Sequence, residues 1–240
     1  MSALIKADTR RIFRKKGFWI IMFFMLFFQF FDAFIITDES AEKIMNDAQR
    51  NLGMGHLLIV TVFVFLSVIA DDRKSSIFEA NIAIGLSRTK LLLAKTSEFA
   101  LVMTLFYFLM TSFRLLWYKL CSVPLSNRQL GLIAIYAAFA VAHGIICLMA
   151  ATLADIALDS TAAGIITLVI MLILLSLVLK TVETIYKINL YNYIPGGLLD
   201  AAYANAAVGI FPWQLIPTAL YGIAAFAATS ALFNKKELQL

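Results

Sequence analysis

Charge is what this sequence has least of. Asp, Glu, Lys and Arg make up 15% of its 240 residues, against 62% hydrophobic residues, and the mean hydropathy is +0.87. A soluble domain is nearer half apolar and a quarter charged, so there is too little polar surface here to clothe a water-soluble globule. Cysteine and histidine are equally scarce, with two of each. Cys121 and Cys147 make no disulfide framework and read as free thiols. A zinc protease needs two histidines one helical turn apart, as in H-E-x-x-H, and neither His56 nor His143 has such a partner. A phosphate-cradling loop needs Gly-Lys followed by Ser or Thr, and the dipeptide Gly-Lys does not occur. The chain is therefore expected to hold no ATP, no metal and no cofactor, and to have no catalytic residue of its own. No internal repeat, Gly/Ser linker or low-complexity run interrupts it.

What is present is a series of apolar runs, at about 18–36, 54–70, 96–118, 129–154, 161–179 and 213–233. About 20 apolar residues in a helix cross the roughly 30 Å hydrocarbon core. The expectation is an all-α polytopic membrane protein, one transmembrane domain over 1–240 with six spans. The loops leave no room for a soluble domain of the usual size. The basic start followed by Phe18–Phe34 resembles a signal peptide. That run is long and strongly aromatic, however, and no small-x-small cleavage site follows it, so it reads as a retained first span.

Residues 1–17 carry Leu4, Ile5, Ile12 and Phe13 near helical spacing, with Lys6, Arg10, Arg11, Arg14, Lys15 and Lys16 mostly on other faces. They read as an interfacial helix with its cations at lipid headgroups. The net charge of +5 does not point to nucleic acid, because the basic residues cluster beside apolar spans, where they suit membrane lipids and topology control. With the first residues inside, thirteen Lys and Arg fall on the cytoplasmic side and seven on the other, which favours both termini in the cytoplasm of a cell (plasma or inner) membrane.

The stretch 181–212 is apolar but broken by Pro195-Gly196-Gly197 and by Pro212, and 198–211 is too short to cross. Tyr186, Tyr191, Tyr193, Tyr203 and Trp213 mark it as interfacial. It is expected to be a re-entrant outer segment of one or two short helices, with Tyr193, Pro195, Gly196 and Gly197 at an outer gate.

Polar residues inside spans are costly and point to function. Asp32 and Arg114 must face protein, water or a partner charge, or else snorkel, since both sit in the outer halves of their spans. His143, in Ala142-His143-Gly144, reads either as a proton relay or as a helix–helix hydrogen bond. Asp71-Asp72 resembles half of a metal–diphosphate site, which needs further converging carboxylates, or else a charged helix end. The stripes Ala134/Ala138/Ala142 and Ala224/Ala228 with Ala227/Ala231 suit close helix packing. They place spans four and six inside the bundle, with the bulky spans one and three toward lipid or another subunit.

The segment from Asp71 to Lys95 contains Gly85-Leu86-Ser87-Arg88 and then Lys95 just before span three. It resembles the loop between spans two and three of ABC-2 type transporter permeases. The basic helix before span one, Tyr193-Ile194-Pro195-Gly196-Gly197 and Phe233 followed by charges are similar to that family as well. In its small size the chain is similar to permeases for amphipathic peptides, such as the phenol-soluble modulin exporters.

The resemblance implies the transmembrane subunit of a dimeric exporter, paired with a second permease subunit and with separate ATPase subunits that carry the ATP and magnesium. It implies alternating access driven through 71–95, in which Ile77, Phe78, Glu79, Ile82, Gly85, Ser87 and Arg88 would couple to the ATPase. There Ile77, Phe78 and Ile82 would form an exposed apolar plug. Two other readings stand beside it. One is an intramembrane enzyme acting on a lipid or prenyl diphosphate through Asp71, Asp72, Asp155 and His143. The other is a secondary transporter, for which no inverted repeat is visible.

Overall fold

The computed structural model describes residues 2–35, 40–74, 77–123 and 125–235. Among them all regular structure is helical. In chain order the helices are α1 (Ser2–Arg14), α2 (Lys16–Ile35), α3 (Ala41–Lys74), α4 (Ile77–Ala83), α5 (Arg88–Leu120), α6 (Asn127–Leu158), α7 (Thr161–Tyr186), α8 (Pro195–Ala207) and α9 (Leu215–Lys235). Five of them, α3, α5, α6, α7 and α9, are long and apolar enough to cross a membrane, and Lys16–Phe31 within α2 is a shorter apolar helix. Among the described residues the protein is thus an all-helical membrane-type bundle in which five helices meet the length of a span, while the first expected span coincides with the shorter apolar helix in α2.

Element boundaries moved where caps and local packing outweigh hydropathy. The polar stretch 41–50, expected as loop, is helical and continuous with span two. Ser40 caps it by accepting from the Lys43 N–H, and Ile44 and Ala48 bury its inner stripe. Helix α3 carries two π turns, Asn51–Gly55 and Leu66–Ala70.

The motif Gly85-Leu86-Ser87-Arg88 has a local physical meaning. Helix α4 ends in a Schellman turn, with the Leu86 N–H bonded to the Asn81 carbonyl and the Gly85 N–H to the Ile82 carbonyl. Gly85 takes the left-handed conformation this turn requires, at φ +93°. Ser87 then caps α5 by accepting from the Lys90 N–H.

Helix α6 is the hub, packing against α3, α5, α7, α8 and α9. Its inward stripe runs through Ile133, Ala137, Ala140, Gly144, Cys147, Leu148 and Ala151. Gly144 allows close packing there: a Cβ would stand 2.4 Å from the Met103 methyl and 3.0 Å from Leu57, so those side-chain ends would have to shift. Ala134 and Ala138, expected inside, are exposed, and Ala142 is half-buried.

The packing of α5 and α9 also reverses expectation. Helix α5 is an interior helix, with Phe99, Val102, Met103, Phe106 and Met110 in the core. Helix α9 is peripheral: Ala224, Ala227, Ala228 and Ala231 are exposed, and it buries chiefly Thr218, Thr229 and Phe233. Bulk decides this outcome, since large side chains fill the space between three or more helices, whereas a small-residue stripe needs only one close neighbour. Helix α2 does present an outward aromatic face, with Phe23, Phe27, Phe31 and Phe34 exposed.

Candidate functional site: a far-end polar cavity and two buried polar clusters

The bundle has two distinguishable ends. Arg73 of α3, Asp155 of α6, Lys95 of α5 and Phe233 of α9 gather at the end that carries α1, here the near end. The opposite, far end holds a cavity of about 350 Å³.

Four helices wall that cavity. Helix α3 contributes Gln49, Arg50 and Gly53, α6 contributes Tyr136 and His143, α7 contributes Ser176 and Lys180, and α8 contributes Gly196 and Asp200. The Asp200 carboxylate accepts from the Tyr191 hydroxyl at 2.7 Å and the Tyr136 hydroxyl at 3.5 Å. The Lys180 ammonium stands over the Tyr191 ring, 4.4 Å from its centroid. Burial, together with the neighbouring Asp200 charge, raises the Tyr191 phenol above its usual range. Tyr191 therefore donates to Asp200 as a neutral hydroxyl.

The Pro-Gly-Gly sequence, expected as a break, is the first turn of α8. Pro195 occupies the start, where its missing N–H costs nothing. Gly197 lets the turn fold back on its own approach, since a Cβ would stand 2.0 Å from the Tyr191 carbonyl oxygen. Gly196 lies against the His143 ring, with a would-be Cβ 3.1 Å from Cε1. Of the four expected gate residues, Pro195, Gly196 and Gly197 form the buried start of α8 over the cavity. Tyr193 is 71% exposed, and its backbone carbonyl accepts from the Tyr221 hydroxyl at 2.7 Å.

The second cluster uses the part of α3, Asn51 to His56, that also supplies Gly53 and Leu57 to the cavity wall. Arg114 is fully buried, and its Nε donates to the side-chain amide oxygen Oε1 of Gln29. The Gln29 amide nitrogen faces the His56 ring at 3.3 Å, and His56 Nδ1 lies 2.7 Å from the Asn51 carbonyl. The Asn51 carbonyl can only accept, which assigns a proton to Nδ1; the Gln29 amide nitrogen lies 3.3 Å from both ring nitrogens and, in the neutral ring, donates to His56 Nε2. The π turn at Asn51–Gly55 fits this arrangement, because the carbonyls of Asn51 and Leu52 accept from the His56 and Tyr107 side chains. Arg114 thus faces protein rather than snorkelling.

The third cluster binds the near end together. Asp72 pairs with Arg11 of α1 and with Lys95 of α5. Lys95 also pairs with Asp8 and, at 3.0 Å, with Glu98. Asp72, Lys95 and Glu98 are all fully buried. Beside them Lys15 pairs with Asp71, and Arg73 grips Asp155 at 2.9 Å as well as Asp159. Burial lowers the affinity of Arg11 for its proton, but the Asp72 carboxylate more than offsets this and the net direction is up. Sequence reading missed this network, although Asp8 on the basic helix and the pair Lys95/Glu98 at one-turn spacing were its signals. It missed Gln29 too, the lone amide in an otherwise apolar and aromatic run.

The four residues of the enzyme reading do not converge. Asp71, Asp72 and Asp155 each have a cation of their own at the near end, and His143 lines the far-end cavity. Among the described residues no group of three or more His, Cys, Asp or Glu is arranged to hold a metal ion.

The expected exposed plug is also corrected in part. Phe78 is 5% exposed and packs edge to face on Phe233, while Ile77 and Ile82 are half-buried and Ile84 is 82% exposed. Arg88 donates to the Phe233 carbonyl at 2.7 Å. The side chains of Asp32 and Glu79 lie outside the described ones. Compared with known proteins, the chain matches no family model, no curated protein and no solved structure.

Proposed function

We propose that this chain is the transmembrane subunit of an ATP-driven exporter, working with a second permease subunit and a separate ATPase. On this reading the near end and both termini face the cytoplasm and the far end faces out. The cargo is an amphipathic or hydrophobic molecule, most simply a peptide.

The observation that carries this reading is the attachment of the 71–95 segment to the rest of the bundle. A lever must be fastened to what it moves. Phe78 and Arg88 both hold Phe233 at the end of α9, and Asp72 and Lys95 hold α1. A push on α4 would therefore reach the first and last helices together. Partner contact would fall to the exposed Ile84 and the outer faces of Ile77 and Ile82, with Phe78 as the internal bolt and Gly85, Ser87 and Arg88 fixing the turn. The far-end cavity beneath α8 would be the outer part of the path, and α8 with Tyr193 its cover.

The test is affinity purification of the tagged chain from its native membranes. A nucleotide-binding ATPase should co-purify, and the chain freed of it should hydrolyse no ATP. If no ATPase is recovered and the isolated chain in vesicles moves cargo on an ion gradient, the reading is overturned in favour of secondary transport.

A further inference from the structure

Helix α1 has two faces with different tasks. Asp8, Arg11, Ile12 and Lys15 turn toward the bundle, where Ile12 is fully buried and the charged three are ion-paired. Lys6, Arg10 and Arg14 recur every fourth residue, so at 3.6 residues per turn they form one stripe on nearly the opposite side. Among the described residues no carboxylate pairs with any of the three, and all are exposed. Between this stripe and α5 lies a groove of about 620 Å³, floored by Ile5, Phe13 and Leu101. Thr9 also lines it, and its hydroxyl is buried with no hydrogen-bond partner among the described residues.

The floor leads onto the apolar part of α5. Leu101 is 41% exposed and sits one turn past Glu98, where α5 becomes apolar. Next to the groove, Trp19 is 58% exposed and its indole donates to the Phe13 carbonyl at 2.8 Å, an interfacial anchor that sets the depth of α1. The groove thus has a basic rim at headgroup depth and an apolar floor below it.

We infer that this groove is a discrete site for one anionic phospholipid, its phosphate among Lys6, Arg10 and Arg14 and an acyl chain along Phe13 and Leu101. An acidic peptide would match the rim but not a floor that opens toward lipid tails. The inference does not rest on the exporter reading, since it concerns only α1, α5 and the bilayer. Because the inner face of α1 is bonded to Asp72 and Lys95, an occupied groove would hold α1 in its docked position.

The test is native mass spectrometry of the purified full chain, titrated with phosphatidylglycerol and, separately, phosphatidylcholine. One phosphatidylglycerol should be retained at least about tenfold more tightly, at about fivefold per cation near an anionic headgroup. Lys6→Gln/Arg10→Gln/Arg14→Gln should abolish the preference, and Lys180→Gln at the far end should not change it. Leu101→Trp fills the floor and keeps every charge. It should lower retention as well, which covers the case in which the triple change disturbs α1. Three results would overturn the inference: a triple variant that keeps the preference, a Leu101→Trp variant that binds like wild type, or full displacement by millimolar inorganic phosphate.

Discussion

Phe78 and Phe233 meet edge to face, with ring centroids 5.8 Å apart and planes at 83°, so a residue of the short α4 is bolted to the end of the last helix. Truncating a buried Phe costs about 3–5 kcal/mol. Phe78→Ala and Phe233→Ala should each lower the melting temperature of the purified protein clearly. The double variant should be less destabilised than the sum by about 0.5–1.5 kcal/mol, the usual coupling of an aromatic pair. Strict additivity in a thermal-melt cycle would mean that the rings do not depend on each other.

Lys95 sits among Asp72, Asp8 and Glu98. Lys95→Met would leave three carboxylates crowded together without their shared cation, and breaking a buried pair costs about 3–5 kcal/mol. Asp72 keeps Arg11 as a partner, whereas Glu98 is left without a cation, so adding Glu98→Gln to Lys95→Met removes the stranded charge and the double variant should be more stable than Lys95→Met alone. Yield of monodisperse protein and its melting temperature are the measurements. Equal stability of the two would show that Glu98 is not coupled to Lys95.

Gln29 is bonded on one side to Arg114 and on the other to His56. Gln29→Leu takes a partner from each at once, at about 1–3 kcal/mol per buried group left short of a bond. Gln29→Glu keeps an acceptor for Arg114 but loses the donor to His56, and its charge suits the guanidinium. It should be the milder change in thermal melts, and a Leu variant as stable as wild type would contradict these contacts.

These clusters show what was legible in the sequence. The apolar runs announced the helical membrane class, and the Gly85–Arg88 motif and the Pro195 break both fall at helix ends, because turn chemistry is local. The inside of the bundle was not legible. Whether Ala134 or Ala137 faces in depends on which helices surround α6, and no short window contains that information. The partners of the charges were hidden for a related reason. Asp72 reads as a helix-end residue, and its burial follows only once α1 and α5 close over it.

Two glycines of equal rank in the sequence should behave in opposite ways. A Cβ on Gly197 would meet the Tyr191 backbone at 2.0 Å, whereas around Gly131 of α6 nothing lies within 4 Å. Gly197→Ala should destabilise the protein and detach α8 from the cavity. Gly131→Ala, within a helix and unobstructed, should stabilise it by about 0.5–1 kcal/mol. Thermal melts give both signs, and limited proteolysis near residue 190 reports the detachment.

Sidedness is directly measurable. Single cysteines introduced at Glu42 and Asn189, in a background without Cys121, should react with a membrane-impermeant thiol reagent added to intact cells. One at Ile84, which is 82% exposed at the near end, should react only after the membrane is opened. Labelling of Ile84→Cys in intact cells would reverse the proposed orientation.

The π turn at Leu66–Ala70, closed by the Asp71 N–H reaching back to the Leu66 carbonyl, sets the phase of the last turn of α3. A π turn is an α-helix holding one residue too many, and one residue rotates a helix by about 100°. Asp71 and Asp72 reach Lys15, Arg11 and Lys95 at the azimuth that this surplus residue sets. Shortening Leu66–Ala70 by a single residue would leave every ion-pairing side chain in the chain and still turn Asp72 away from its partners. The five residues act as a clock hand for the near end, so the spacing of the sequence is as much a part of the ionic lock as its charges are.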